Sequence, residues 1–407
     1  MTNNYRLIVT LSALSGICGL SYQVLYSRIL STYFGSISYV AAAIIGGFLL
    51  GIAIGPLIAR RLTPYIAHVE ALVGIVGAAA AVFFMIMGSA PLAWVGGIAG
   101  SPLLIALSAG VIISIPALLI GLSLPLFAIY LRYARSDSED SDGFRVSYLF
   151  YNLGAGVCVL LVELLMIHAL GISATMLCIA ALNLVVAAVL WRFLKSPDEA
   201  FFEQERVGHD PLPASILIPL AVSGVISGVF QILYLKVSMH IWGPTTLTVA
   251  SVITSAFLGI ALGSAISGRT RAPLSTVLLL CGLTIAMLFY LMGDIIVLWS
   301  YVAQWASERY GYGNLYLFQC AFVVVVGLPV FTLLGSTEPA ALTGRSGSVF
   351  EGGKVLSISA FANAAGVFLM IFWMHESFKD HFMMIGMSVL FLIIGAWKSP
   401  NKETSNA

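Results

Sequence analysis

Few side chains of this sequence are able to hold a proton, an ion or a polar solute, and most of these stand inside long apolar runs. Glu338 precedes Pro339 within the run 314–342. An acid inside a membrane helix costs roughly 2.5–3.5 kcal/mol on insertion scales unless it is protonated, paired or wetted. It therefore marks either a cation or proton site in an interior cavity, or a helix that stops short of it. Gln23 shares a helical face with Ser15, Gly19 and Tyr26, and Gln231 and Tyr234 recur at the same spacing later in the chain. A polar face of that kind turns towards protein. Arg28 and its counterpart Lys236 lie near helix ends, where they hold an anionic group or extend to the membrane interface. Gln23 and Arg28 are about 140° apart on a regular helix, so they do not both point into one cavity. Tyr148, Asn152, Gly156 and Glu163 follow steps of 4, 4 and 7 and return near one angle. That stripe bonds to neighbouring helices or walls a solute path.

Other chemistries lack their residues. His168, His240, His375 and His381 have no ligand spacing, so no metal site is expected. The five cysteines, Cys18, Cys158, Cys178, Cys281 and Cys320, form no C-x-x-C pair and read as small buried packing groups. Glu351-Gly352-Gly353-Lys354 is a loop-to-helix junction and not a nucleotide loop after a strand, so no cofactor is expected. With a net charge of +1, no polyanion-binding surface is implied and nucleic acid is not a partner.

The elements that must position these residues are set by composition. Of 407 residues 60% are apolar and 9% charged, with a mean hydropathy of +1.01, against roughly 25% charged in a soluble domain. So few charges do not cover a water-facing surface. A bilayer core needs about 20 apolar residues per helix, and twelve such segments are present: 7–33, 37–59, 66–88, 101–131, 146–169, 173–194, 214–240, 246–267, 273–293, 314–342, 354–374 and 381–397. The predicted fold is an all-α, polytopic membrane protein, and the lipid bilayer is its first partner. The first segment lacks a small-residue cleavage pattern and reads as a retained helix. With the N-terminus inside, 15 Lys and Arg fall on the cytoplasmic side and only Arg309 and Lys379 outside. Cytoplasmic loops collect these residues, so both termini are expected inside, with Trp94, Trp242 and Trp305 near the opposite face.

The start of the chain is repeated. Ser15 to Arg61 aligns without gaps on Ser223 to Arg269, with 15 identities in 47 positions. Further on, Gly121 to Pro125 corresponds to Gly335 to Pro339, and Asn152 to Asn363; the counterpart of Glu338 is the apolar Leu124. Six helices per half give the halves one orientation, as in the parallel halves of major-facilitator transporters. Gly47, Gly51 and Gly55, matched by Ser255, Gly259 and Gly263, place a small-residue stripe on the second helix of each half. Such stripes let backbones approach, and they serve either fixed packing or sliding during a rocking motion. The expected divisions are 1–195, a linker 196–213 holding one short surface helix, 214–398, and a tail 399–407. Loop 136–142 is acidic and reads as a solvated connection, and segment 295–310 reads as an amphipathic helix on the outer membrane surface.

Tyr22-Gln23-Val24-Leu25-Tyr26-Ser27-Arg28, Phe48 to Gly55, Pro116 to Pro125 and Tyr148 to Gly156 resemble the membrane portion of bacterial fused major-facilitator/spermidine-synthase proteins. The likeness covers nearly all of both halves. That family commonly carries Glu where Gln23 stands, and its aminopropyltransferase domain does not follow within these residues. The resemblance implies a bacterial inner-membrane module without enzyme activity of its own. Two readings follow: a transporter moving a small polar or amphiphilic solute by alternating access, or a non-transporting module that docks or feeds a separately encoded polyamine-synthase-like enzyme, with segment 295–310 as a partner surface.

Overall fold

The computed structural model describes residues 3–34, 38–88, 102–134, 143–194, 196–197, 201, 212–343, 349–374 and 380–396. Among these there is no strand. Twelve helices carry the fold: α1 (Asn3–Phe34), α2 (Ser38–Ala59), α3 (Ile66–Met87), α4 (Pro102–Tyr133), α5 (Gly143–Leu161), α6 (Ile167–Phe193), α7 (Ala214–Trp242), α8 (Thr246–Thr270), α9 (Leu274–Tyr290), α10 (Leu315–Gly335), α11 (Val349–Leu369) and α12 (Asp380–Ala396). Each drawn apolar segment lands on one of them. Eight stretches of the described chain are long and apolar enough to cross a bilayer; Ala42–Met87 and Gly143–Phe193 hold two helices each. Helix α9 passes the same test together with the Met292–Tyr310 helix, from which it is bent by 60°, and α12 is shorter, at 17 residues.

The distribution of side chains is that of a protein in lipid. Ile86, Val111, Leu283 and Val325 are more than half exposed on outward faces, while Ser12, Glu70, Asn183 and Ser255 are buried. A large apolar exterior around a partly polar interior is costly in water and favourable in hydrocarbon. The chain is a multi-pass helical membrane protein.

Breaks in the helices have local causes. A 3-10 turn, Arg60–Tyr65, with Pro64 inside it, separates α2 from α3. The backbone at Gly171 has φ 78° and ψ 172°, a conformation open to glycine and few others, and it divides the run that joins α5 to α6. Two segments wind as π-helix, Val162–Met166 after α5 and Met370–Met374 after α11.

Packing follows one scheme twice. Among the first six helices α1 lies on α5, α2 on α4 and α3 on α6; among the last six α7 lies on α11, α8 on α10 and α9 on α12. Across the two sets α2 meets α11 and α5 meets α8. Gly121 lies over the backbone of Ile52 and Gly335 over that of Ile260. The small-residue stripes make these approaches: Gly47, Gly51 and Gly55 face Gly110, Ser114 with Ala117, and Gly121 on α4. On α8, Gly259 and Gly263 face Phe331 and Gly335, and the Ser255 hydroxyl donates to the Val324 carbonyl at 2.9 Å. Both stripes therefore hold helices of one set together. That corrects the sliding-surface alternative, because the seams between the sets use other glycines: Gly46 against Phe368 and Gly156 against Leu258.

Cys178 is exposed on the outer face, which corrects its reading as a buried packing group; Cys18, Cys158, Cys281 and Cys320 are buried. The Met292–Tyr310 helix turns Trp299 inward onto Trp242 and Phe322, with ring centroids 6.1 and 5.2 Å away, and leaves Leu298 and Trp305 half exposed. Most of linker 196–213, loop 136–142, Trp94, Arg345, His375 and tail 399–407 lie outside the described residues.

Candidate functional site

The interior of the bundle holds a small cleft, about 70 Å³ in volume, between the two sets of helices. Helix α1 contributes Gln23 and α2 contributes Phe48. The opposite wall comes from α7 (Ser227, Gln231), α8 (Phe257), α10 (Phe331) and α11 (Ser359, Asn363), and Thr337 and Glu338 also line the cleft. The spacing explains the convergence. Ser223, Ser227 and Gln231 recur every fourth residue on α7, as Ser359 and Asn363 do on α11, and residues four apart share a helix face.

Glu338 is seated by a change of helix. Helix α10 ends at Gly335, the Ser336 N–H bonds the Leu333 carbonyl, and a short separate turn, Thr337–Ala341, follows. The helix does stop before the acid, as one of the two sequence readings required. Yet the side chain is 8% exposed and sits against the cleft, not at a solvated rim. The Ser359 hydroxyl donates to Oε1 at 2.6 Å and the Thr337 hydroxyl lies 3.2 Å from Oε2. The Tyr148 phenol lies beside the carboxyl group. That contact joins α5 of the first set to the second.

The remaining candidates part company. Gln23, Gln231, Glu338 and Asn363 meet in the cleft. Tyr26 does not; it borders a separate small void with Tyr22 and Gly77. Tyr148 reaches the cleft only through Glu338, and the Asn152 amide donates to the Tyr148 carbonyl at 2.6 Å within its own helix. Glu163 leaves their stripe because it lies in the π-helical segment, whose wider turn shifts the phase of the face. It forms an ion pair with Arg28 on α1, with Arg28 Nε 3.2 Å from Oε2. Arg28 thus has an anionic partner within the chain, and Glu163 does not wall the cleft, which corrects its reading as part of a solute path. Tyr234 donates to the Val323 carbonyl at 2.6 Å, tying α7 to α10, and Lys236 lies outside the cleft.

Sequence reasoning passed over one residue altogether. Glu70, the one acid of α3, is fully buried. The Ser15 hydroxyl donates to its Oε1 at 2.8 Å and the Asn183 amide to its Oε2 at 2.6 Å, so the carboxyl group ties α3 to α1 and α6. Its isolation in an apolar run was the available signal, the same one that singled out Glu338. Among the described residues no group of three His, Cys, Asp or Glu side chains is placed to hold a metal ion.

No protein-family model matches the chain, and no curated protein does. Among solved structures, the human organic anion transporter MFSD10 (TETRAN) superimposes with a TM-score of 0.56 at 14% identity, covering 97% of this chain and 99% of that one. A POT family transporter, PepTSo, aligns over 97% of this chain and 96% of that one, at 12% identity and a TM-score of 0.45. At such low identity the likeness to MFSD10 shows shared architecture alone: this chain has a major-facilitator-like membrane fold.

Proposed function

We propose that this protein is an inner-membrane transporter, not an enzyme, and that it moves a small polar or amphiphilic solute by alternating access through the central cleft. One observation carries the reading: four uncharged or acidic polar side chains from opposite sets of helices, Gln23 against Gln231, Asn363 and Glu338, face one interior space. Burying polar groups around a void is costly unless something polar occupies it. The two sets of six helices act as parallel repeats that rock about this site, with both termini cytoplasmic as the Lys and Arg distribution requires. Tyr148 and Glu338 stand side by side across the two sets and part when that end of the cleft opens. Gly352 against Phe144 and Gly353 against Pro56 close the same end.

The test is solute uptake into sealed vesicles containing wild type or Glu338→Gln at matched protein levels. Saturable transport by wild type that is lost in Glu338→Gln supports the assignment. Equal transport by both rejects Glu338 as part of the site. Absence of transport for every solute tried favours the alternative, a membrane module serving a separate polyamine-synthase-like enzyme. The half-exposed Leu298, Tyr301 and Trp305 of the Met292–Tyr310 helix offer that module a docking face.

A further inference from the structure

The cleft holds buried acceptors without a hydrogen bond. Gln23 is 2% exposed and its Oε1 accepts no hydrogen bond; the Asn363 Oδ1 is likewise buried and unpaired. The Asn363 orientation is fixed by its other end, since Nδ2 is directed at the Ser227 hydroxyl 3.5 Å away. A carboxyl group offers several acceptor sites, so Glu338 retains capacity beyond the hydroxyls of Ser359 and Thr337. Of the hydroxyl groups, those of Ser223, Thr337 and Ser359 are committed as donors, whereas the Ser227 hydroxyl, which accepts from Asn363, and the Gln23 and Gln231 amides are free to donate. Ser223 donates to the Leu220 carbonyl at 2.8 Å, Ser359 to Glu338, and Thr337 to the Leu334 carbonyl at 2.7 Å or to Glu338. Among the described residues lining the cleft there is no Lys, Arg or His.

A site with unpaired acceptors, a carboxyl group and no cationic side chain suits a ligand that brings both N–H donors and positive charge. An anion would meet a carboxyl group and no cationic side chain. The walls narrow the class further. Phe48, Phe257 and Phe331 line the same space, and aromatic faces attract ammonium groups and bury apolar bodies. A bare metal ion would use the oxygens and leave those walls without a role.

We propose that the cleft selects a small organic cation, with an N–H-bearing ammonium head seated among Glu338, Gln23 and Asn363 and an apolar body against the phenylalanines. The proposal rests on the transporter reading for the route the ligand takes, and on the cleft alone for its chemistry. It sets this chain apart in ligand charge from the organic anion transporter whose architecture it shares.

The experiment is calorimetric binding to the detergent-solubilised full chain, using three probes of similar shape and different charge: phenethylammonium, phenylpropionate and phenethyl alcohol, with sodium chloride as a fourth. The ammonium probe binds saturably, at least about tenfold more tightly than the others, and Glu338→Gln weakens it by about tenfold or more. Asn363→Leu and Gln23→Leu weaken it too, and they carry the test if Glu338→Gln does not yield folded protein. Equal or tighter binding of phenylpropionate or the alcohol, an equivalent response to sodium alone, or no saturable ammonium binding below about 1 mM overturns the proposal. Ammonium binding without vesicle transport leaves the ligand class standing and removes the transporter reading. Transport of a neutral or anionic solute alone does the reverse.

Discussion

Glu70 offers the sharpest test of how the first six helices are held together. Glu70→Leu removes the acceptor of two interhelical hydrogen bonds, from Ser15 and Asn183. Leucine fits the environment in one respect, because α9 carries the buried Leu278 at the same offset that relates Gln23 to Gln231. The two donors would not both be stranded. The Asn183 amide keeps the Glu70 backbone carbonyl at 3.3 Å, and a serine hydroxyl in a helix can turn to the carbonyl one turn back. A stranded buried donor costs about 1–3 kcal/mol, whereas interhelical hydrogen bonds in membranes average only about 0.6 kcal/mol. Summing one stranded donor and one that re-bonds gives a loss of about 2–4 kcal/mol for Glu70→Leu. Glu70→Gln keeps one acceptor oxygen and adds donors that the Ser15 oxygen accepts, so it costs less than about 1 kcal/mol. Reversible unfolding of the purified protein in mixed micelles, with denaturant as the variable, reads both. If glutamine costs as much as leucine, the network depends on charge or on a proton and not on hydrogen-bond count. If leucine costs nothing, the contacts are idle, and either result refutes the argument.

Other expectations follow from the same geometry. A methyl on Gly55 or Gly121 would overlap helix backbone, so Gly55→Val and Gly121→Val destabilise by at least about 1–3 kcal/mol, while Gly293→Ala, with open space around it, leaves the melting temperature unchanged. Arg28→Ala leaves the buried Glu163 without its partner, and the loss is smaller than the roughly 3–5 kcal/mol of a fully buried pair because Arg28 is 27% exposed; Glu163→Gln in the same chain restores part of it, and failure of the double variant to recover would show the pair to be incidental. A reporter placed after Ala407 is accessible only from the cytoplasm, and labelling from the other side would invert the topology read from Lys and Arg.

Membrane class and helix positions were legible in the sequence because the bilayer imposes a length and a polarity on every span. A run of about 20 apolar residues has few alternatives in hydrocarbon, and the drawn segments meet the observed helices to within a few residues at most ends. The small-residue stripes were legible for a related reason, since a residue type at every fourth position specifies a face. Which neighbour that face meets was not, and only packing shows Gly47, Gly51 and Gly55 on α4 and not on the other set of helices. The site divided the same way. Gln23, Gln231, Glu338 and Asn363 were named from polarity within apolar runs, and the structure brings them to one cleft. Glu163 was assigned by a regular helical phase that the π-helical segment Val162–Met166 breaks, so it joins Arg28. Tyr26, three residues beyond Gln23, faces a different void because α3 and α4 close around it. Periodicity carries the direction of a side chain along one unbroken helix. What stands opposite depends on contacts between segments far apart in the chain, and those the tertiary structure alone decides.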